Sequence, residues 1–143
     1  MVIAKSKYEN KSKQITDPRA VYEVFTAVIK AEHETDRDKE HFWVIGLNTR
    51  NSIKYIELVS LGTLGASLVH CREVYRSAIT NAVSNLILVH NHPSGYPQPS
   101  DEDLSITRRL TDAGTIIGIQ ILDHVVIGNA EGGYTSFKEA GLI

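Results

Sequence analysis

The sequence predicts an α/β fold, a single domain in which a mixed β-sheet is flanked by helices. Three observations predict it. The chain has 143 residues, the size of one ordinary domain. Hydrophobic residues make up 42% of it and charged residues 22%, the balance of a globular chain that can bury a core without staples. Segments with apolar residues at helical spacing alternate with short apolar runs rich in strand formers, which implies helices packed on a sheet.

Residues 1–15 are polar and read as a flexible leader, with residues 16–143 as the domain. Lys5, Lys7, Lys11 and Lys13 in that leader read as a solvated basic tail. Asp17 and Pro18 form a helix start, an N-cap followed by proline in the first turn. Val21, Val24, Phe25, Val28 and Ile29 give that helix an apolar face, and the charged stretch Glu32 to Lys39 reads as an exposed connection. Phe42 to Leu47 suits a strand buried on both faces. Asn48 to Asn51 is turn-rich, and Ile53 to Leu61 completes an antiparallel pair. Gly62 and Gly65 break the pattern. Val74, Tyr75, Ala78, Ile79 and Ala82 mark a second amphipathic helix, and Leu86 to Val89 another buried strand. Pro93, Gly95, Pro97 and Pro99 predict irregular chain from His90 to Pro99. Ser100 starts a third helix, with Asp101, Glu102 and Asp103 at the positive end of its dipole, and Gly114 is expected to close it. Ile116 to Leu122 and Val125 to Ile127 read as two further strands. Gly132 and Gly133 then turn the chain into a short C-terminal piece.

Composition removes several function classes. The formal net charge is −2, so no overall basic field advertises nucleic acid or a membrane. Cys71 is the only cysteine, which excludes an intrachain disulfide and a four-cysteine metal site and suits a reducing compartment. Cys71 itself reads as a small apolar packer. No apolar run is long enough to span a bilayer, and the N-terminus lacks the apolar core of a signal peptide, so a cytoplasmic location is expected. No strand edge is marked for pairing with a second copy.

The chemistry concentrates in the segment from His90 to Asp103. His90 and His92 lie two apart where a strand ends, and an extended chain puts both side chains on one face. A proline-stiffened loop returns to a helix start whose first turn carries Asp103. Two imidazoles and one carboxylate form a three-ligand set for one zinc ion that leaves a fourth position open, as a catalytic site requires. Water held there can fall to a pKa of about 7. Iron, cobalt or nickel would also accept these ligands.

His90-x-His92, seven residues, Ser100, two residues and Asp103 together resemble the motif of the JAB/MPN metalloproteases, also called JAMM proteins. The longer string is similar to the RadC branch. It includes His90-Asn91-His92-Pro93-Ser94-Gly95, Pro99-Ser100, Asp103, Leu122-Asp123-His124, residues 37–42, Gly62-Thr63-Leu64 and Ala66-Ser67-Leu68-Val69-His70. The likeness runs from roughly Asp17 to Gly128. It implies that His90, His92 and Asp103 hold zinc, that Ser100 donates to a developing oxyanion, and that an upstream glutamate is general base. Glu40 is the best match, with Glu32, Glu34, Glu57 and Glu73 as the other candidates. The resemblance implies a zinc-dependent peptidase or isopeptidase acting on a peptide or protein substrate. Longer members carry an N-terminal helical region of the helix–hairpin–helix kind, for which this chain has room for one helix, and this weakens an inference of DNA binding or repair.

Each of these residues also has a plainer reading. Ser100 with Asp103 is a helix-capping pattern, and Glu40 could be a solvated charge before a strand. His124 reads either as support behind the zinc ligands or as a packed histidine in a strand-to-strand step. His33, His41 and His70 read as loop residues, Trp43 as core, and Tyr96 with residues 94–98 as a groove lining or a rigid connector. The adjacent His-Asn-His letters do not have the spread spacing of HNH nucleases, and the His-x-Glu and Cys-x-x-Cys elements of nucleobase deaminases are absent. The alternatives to a hydrolase are a DNA-associated module, which the charge does not favour, and a non-catalytic interaction domain, which the complete motif does not favour.

Overall fold

A computed structural model describes residues 14–32, 34–62, 69–129 and 133–143, with the side chains of Glu34 and Asp36 outside that set. The leader lysines, His33, residues 63–68 and Gly132 lie outside the described residues. The elements are α1 (Pro18–Lys30), α2 (Glu34–Arg37), β1 (Glu40–Leu47), β2 (Ile53–Gly62), α3 (Cys71–Thr80), β3 (Asn85–Asn91), α4 (Asp101–Ile117), β4 (Gln120–Ile127) and β5 (Tyr134–Ser136). The strands form one five-stranded sheet in the order β2-β1-β3-β4-β5. Only β3 and β4 run parallel within it, and α4 supplies the crossover between them. Among the described residues, no helix is long and apolar enough to cross a membrane.

The sheet is covered on both faces, which is why β1 and β3 are apolar almost throughout. Alternation along β1 sends Trp43, Ile45 and Leu47 to one face and Phe42 and Val44 to the other. Helix α1 covers the first face with Val21, Val24 and Phe25, and the Phe25 ring lies 5.0 Å from that of Trp43. Helices α3 and α4 cover the second face with Val74, Tyr75, Ala78, Ile106 and Leu110. The Asp17 carboxylate caps α1, accepting from the Ala20 amide at 2.9 Å.

Several expectations are corrected. The strand before the proline-rich segment runs through His90 and Asn91, because the ladders to β1 and β4 continue past Val89. Helix α4 does not close at Gly114. It runs on to Ile117 and ends at Gly118, whose φ of 89° provides the left-handed C-cap. Gly114 is instead a close-packing position, where a Cβ would stand 2.4 Å from the Tyr75 hydroxyl. Ile116 and Ile117 are therefore helical and exposed, and β4 is one continuous strand from Gln120, followed by β5. The Glu32 to Lys39 connection contains the short helix α2. His41 is not in a loop but buried in β1, stacked 4.8 Å from Trp43. The polar leader does not extend through residue 15: Ile15 is buried in the core and its amide bonds Asn51 O at 2.8 Å.

Candidate metal centre

Strand β3 delivers the first candidate ligand. On β3, Leu86, Leu88 and His90 share the face covered by α3 and α4, so His90 points beneath the start of α4. It is 1% exposed. His92 follows just beyond the strand, tied to β4 by its amide to Ile127 O at 2.8 Å, and its ring centre lies 4.6 Å from that of His90. The loop then turns at Gly95, whose φ of +90° a side chain would rarely adopt. This turn brings the Tyr96 carbonyl 2.8 Å from His92 Nδ1. A carbonyl only accepts, so Nδ1 carries a proton, which leaves Nε2 as the nitrogen that faces Asp103 and the centre.

Asp103 comes from the first turn of α4. Ser100 and Asp103 form a reciprocal capping box, with Ser100 Oγ accepting from the Asp103 amide at 3.1 Å and Asp103 Oδ2 accepting from the Ser100 amide at 2.8 Å. The capping reading of Ser100 is therefore realised, and the same bonds fix the direction of the Asp103 carboxylate. Its Oδ2 lies 3.1 Å from His92 Nε2 and its Oδ1 3.2 Å from His90 Nδ1. One ligand atom from each of His90, His92 and Asp103 lies within 4.8 Å of the others.

The residues fit a metal cation. Both ring nitrogens of His90 are buried without a hydrogen-bond partner, with Nδ1 3.2 Å from Asp103 Oδ1. A buried polar group left unpaired costs about 1–3 kcal/mol, which a cation bound there would offset. Burial pushes the His90 pKa down to about 4, against the pull of the Asp103 carboxylate, so the ring is neutral and its lone pair available. Burial acts to raise the Asp103 pKa, but bonds from His92 and the Ser100 amide and the proximity of His90 outweigh it and hold the carboxyl at about 2. The His92 pKa is raised, chiefly by its bond to Asp103. Imidazole nitrogen and carboxylate oxygen are donors that zinc accepts.

A layer behind the ligands was only partly foreseen. Thr107 lies one turn beyond Asp103 and donates its hydroxyl to the Asp103 carbonyl at 2.7 Å. With that proton used, His124 Nδ1, 2.6 Å from the same oxygen, must be the donor of the second bond. His124 is fully buried within β4, not in a step between strands, and its ring centre lies 5.8 Å from that of His90. Burial pushes its pKa down to about 3. Thr107 was legible in principle, since four residues along a helix from Asp103 shares its face. The Tyr96 carbonyl is a backbone group and leaves no side-chain signal.

These shifts set the acid behaviour of the metal-free protein. His90 and His124 have folded pKa values below the ordinary histidine value of 6.5, so the unfolded chain binds their protons first and stability falls as pH drops below 6.5 toward 4 and 3. The depressed Asp103 adds stability present above its ordinary 3.8 and lost as pH falls through about 2. His92 acts in the opposite sense: its contribution is present below 6.5 and lost as pH rises through its elevated folded value. Thermal melts of metal-free protein are expected to show maximum stability near neutrality and a loss of a few kcal/mol by about pH 4. A flat profile between pH 4 and 7 would contradict this arrangement.

A cleft of about 1000 Å³ opens over the ligands, lined by Glu40, His90, His92, Pro93, Ser94 and Ser100 among others. Glu40 stands at the first residue of β1 and is partly buried. Among the other glutamates considered, Glu57 accepts from Ser77 at 2.5 Å and Glu73 pairs with Arg76 at 2.7 Å on α3. Neither these nor Glu32 line the cleft, and the side chain of Glu34 lies outside the described residues. Tyr96 is 71% exposed and contributes its carbonyl rather than its ring. Cys71 opens α3, partly buried with its sulfur 3.9 Å from Arg109 O.

The family model described as a RadC-like JAB domain matches residues 15–142. A UPF0758 protein of Symbiobacterium thermophilum is 51% identical over 129 residues, covering 90% of this chain and 52% of that protein. A UPF0758 protein of Methanosarcina mazei is 41% identical over 135 residues, covering 94% of this chain and 56% of its own length. The chain thus spans about half the length of the curated relatives it matches. By this match and by the His90, His92 and Asp103 cluster that its fold assembles, the chain belongs to the RadC-like JAB domain family.

Proposed function

We propose that this domain is a zinc-dependent hydrolase that cleaves an amide bond, as a peptidase or isopeptidase. The observation that carries the reading is the convergence of His90, His92 and the buried Asp103 at a cleft that His90 and His92 line and that also presents Glu40 and Ser100. Zinc held by the three ligands would supply a Lewis acid and lower the pKa of a water to about 7.

The chain's own residues take the remaining roles. Glu40 accepts the proton of the attacking water and returns it to the leaving amine. The Ser100 hydroxyl accepts from the Asp103 amide and keeps its own proton, which it donates to the oxyanion that develops on the scissile carbonyl. The Tyr96 carbonyl keeps His92 in the tautomer that presents Nε2, and the capping box keeps Asp103 aimed inward.

The test is digestion of a mixed peptide library, and of a lysine-linked isopeptide, by zinc-loaded protein with mass-spectrometric readout. New termini should appear, disappear after chelation and return when zinc is restored. A library left intact by protein shown to hold one zinc per chain would refute the hydrolase reading.

A further inference from the structure

The walls of the cleft carry an excess of acid. Asp38, Glu40, Asp101 and Glu102 line it, and among the described lining residues Lys39 is the one cation. Asp38, Asp101 and Glu102 are exposed, so their charges meet whatever enters. Two separate elements supply them. Asp101 and Glu102 open α4, where the helix dipole favours acid, but Asp38 precedes β1 at no such position. Arg108 and Arg109 lie further along α4 and line a neighbouring hollow, with Arg109 donating to Val69 O at 3.0 Å. A cation on the floor would be offset in part by Asp103, and the carboxylates of the walls exceed what remains.

A second observation marks the same cleft as a place where a ligand sits. His90 lines it, is 1% exposed, and has both ring nitrogens without a hydrogen-bond partner. The cleft also adjoins a hollow of about 260 Å³ that shares Asp38, His92 and Pro93 with it and is lined by Tyr22, Ile29 and Lys30 of α1 and by Arg37, whose guanidinium donates to the Glu32 and Lys30 carbonyls, so the excess of acid belongs to the cleft and not to this hollow.

We infer that the substrate of this site is a cationic polypeptide segment, with lysine or arginine side chains flanking the bond to be cut, and not a nucleic acid or an acidic tail. The inference rests on the hydrolase reading for the bond cut, but its charge preference can be measured separately. Like-signed carboxylates in a concave wall focus their field into the cleft and raise the local concentration of cationic chain. The same field repels a phosphate backbone, whose binding requires lysine and arginine to displace counterions.

The test uses zinc-loaded protein and two ten-residue peptides that differ only in carrying lysine or glutamate at four flanking positions. Fluorescence anisotropy at low and physiological salt reads binding, and mass spectrometry of the same samples reads cleavage. The lysine peptide should bind about tenfold tighter at low salt, and salt should reduce that ratio. In the Asp101→Asn/Glu102→Gln double variant the ratio should fall to about threefold or less, while Asp112→Asn, which removes one charge elsewhere on α4, should leave it unchanged. Equal binding, preference for the glutamate peptide, an unchanged ratio in the double variant, or tighter binding of a single-stranded oligodeoxynucleotide would overturn the inference. Preference without cleavage would support the inference while counting against the hydrolase reading, and cleavage without preference would do the reverse.

Discussion

Replacing Glu40 with glutamine is expected to slow hydrolysis by about 10²–10⁴-fold while one zinc per chain is retained. The amide is nearly isosteric with the carboxylate but cannot take a proton from water at neutral pH. Glu40 stands at the first residue of β1, in register with Gly62 of β2, and lines the cleft that His90 and His92 floor. Its neighbour His41 is pinned by its amide to Asn91 Oδ1 at 2.6 Å, so the backbone at this end of β1 is fixed. The variant should therefore fold and melt like the wild type. Metal stoichiometry and turnover, measured on the same sample, separate this role from that of a solvated surface charge. Full activity in Glu40→Gln would remove Glu40 from the mechanism and return the search to the other carboxylates that line the cleft, Asp38, Asp101 and Glu102.

Replacing Asp103 is expected to have the larger effect on metal. Its carboxylate is the only anionic member of the ligand set and also one half of the box that starts α4. Asp103→Ala should reduce zinc affinity at least 100-fold and should also cost about 1 kcal/mol of metal-free stability through the lost cap. Asp103→Asn retains an oxygen for the Ser100 amide but not the charge. It should keep more of the metal-free stability than alanine while still losing most of the zinc affinity. Titration with a competing chelator, paired with thermal melts of metal-free protein, reads the two effects independently. Equal losses of metal-free stability in Asn and Ala would show that the capping box contributes little.

The clustering of His90, His92 and Asp103 was legible because it depends on two strong local rules. Side chains two apart on a strand share a face, which gave His90 and His92, and acidic residues just after a serine mark a helix start, which gave Asp103. Where the sequence misled, two local signals competed. Gly114 resembles a helix stop and Ile116-Ile117 resembles a strand, but the left-handed cap is Gly118, and the exposure of Ile116 is tolerated because helical hydrogen bonding continues to that cap. The prolines from Pro93 onward suggested irregular chain from His90, yet pairing on both sides of β3 carries the strand through Asn91. His124 resisted assignment for a different reason. A bulge at Leu122 changes the alternation along β4, so the face His124 occupies depends on pairing with β3 rather than on its own neighbours. Its bond with Thr107 joins two elements far apart in sequence and has no local signature.

The central claim is that His90, His92 and Asp103 form one metal site, and elemental mass spectrometry of purified protein tests it most directly. One zinc per chain in the wild type, lost in His92→Ala, is the expected result. Wild-type protein that holds no metal after zinc is supplied and the excess removed would contradict the site and every step built on it.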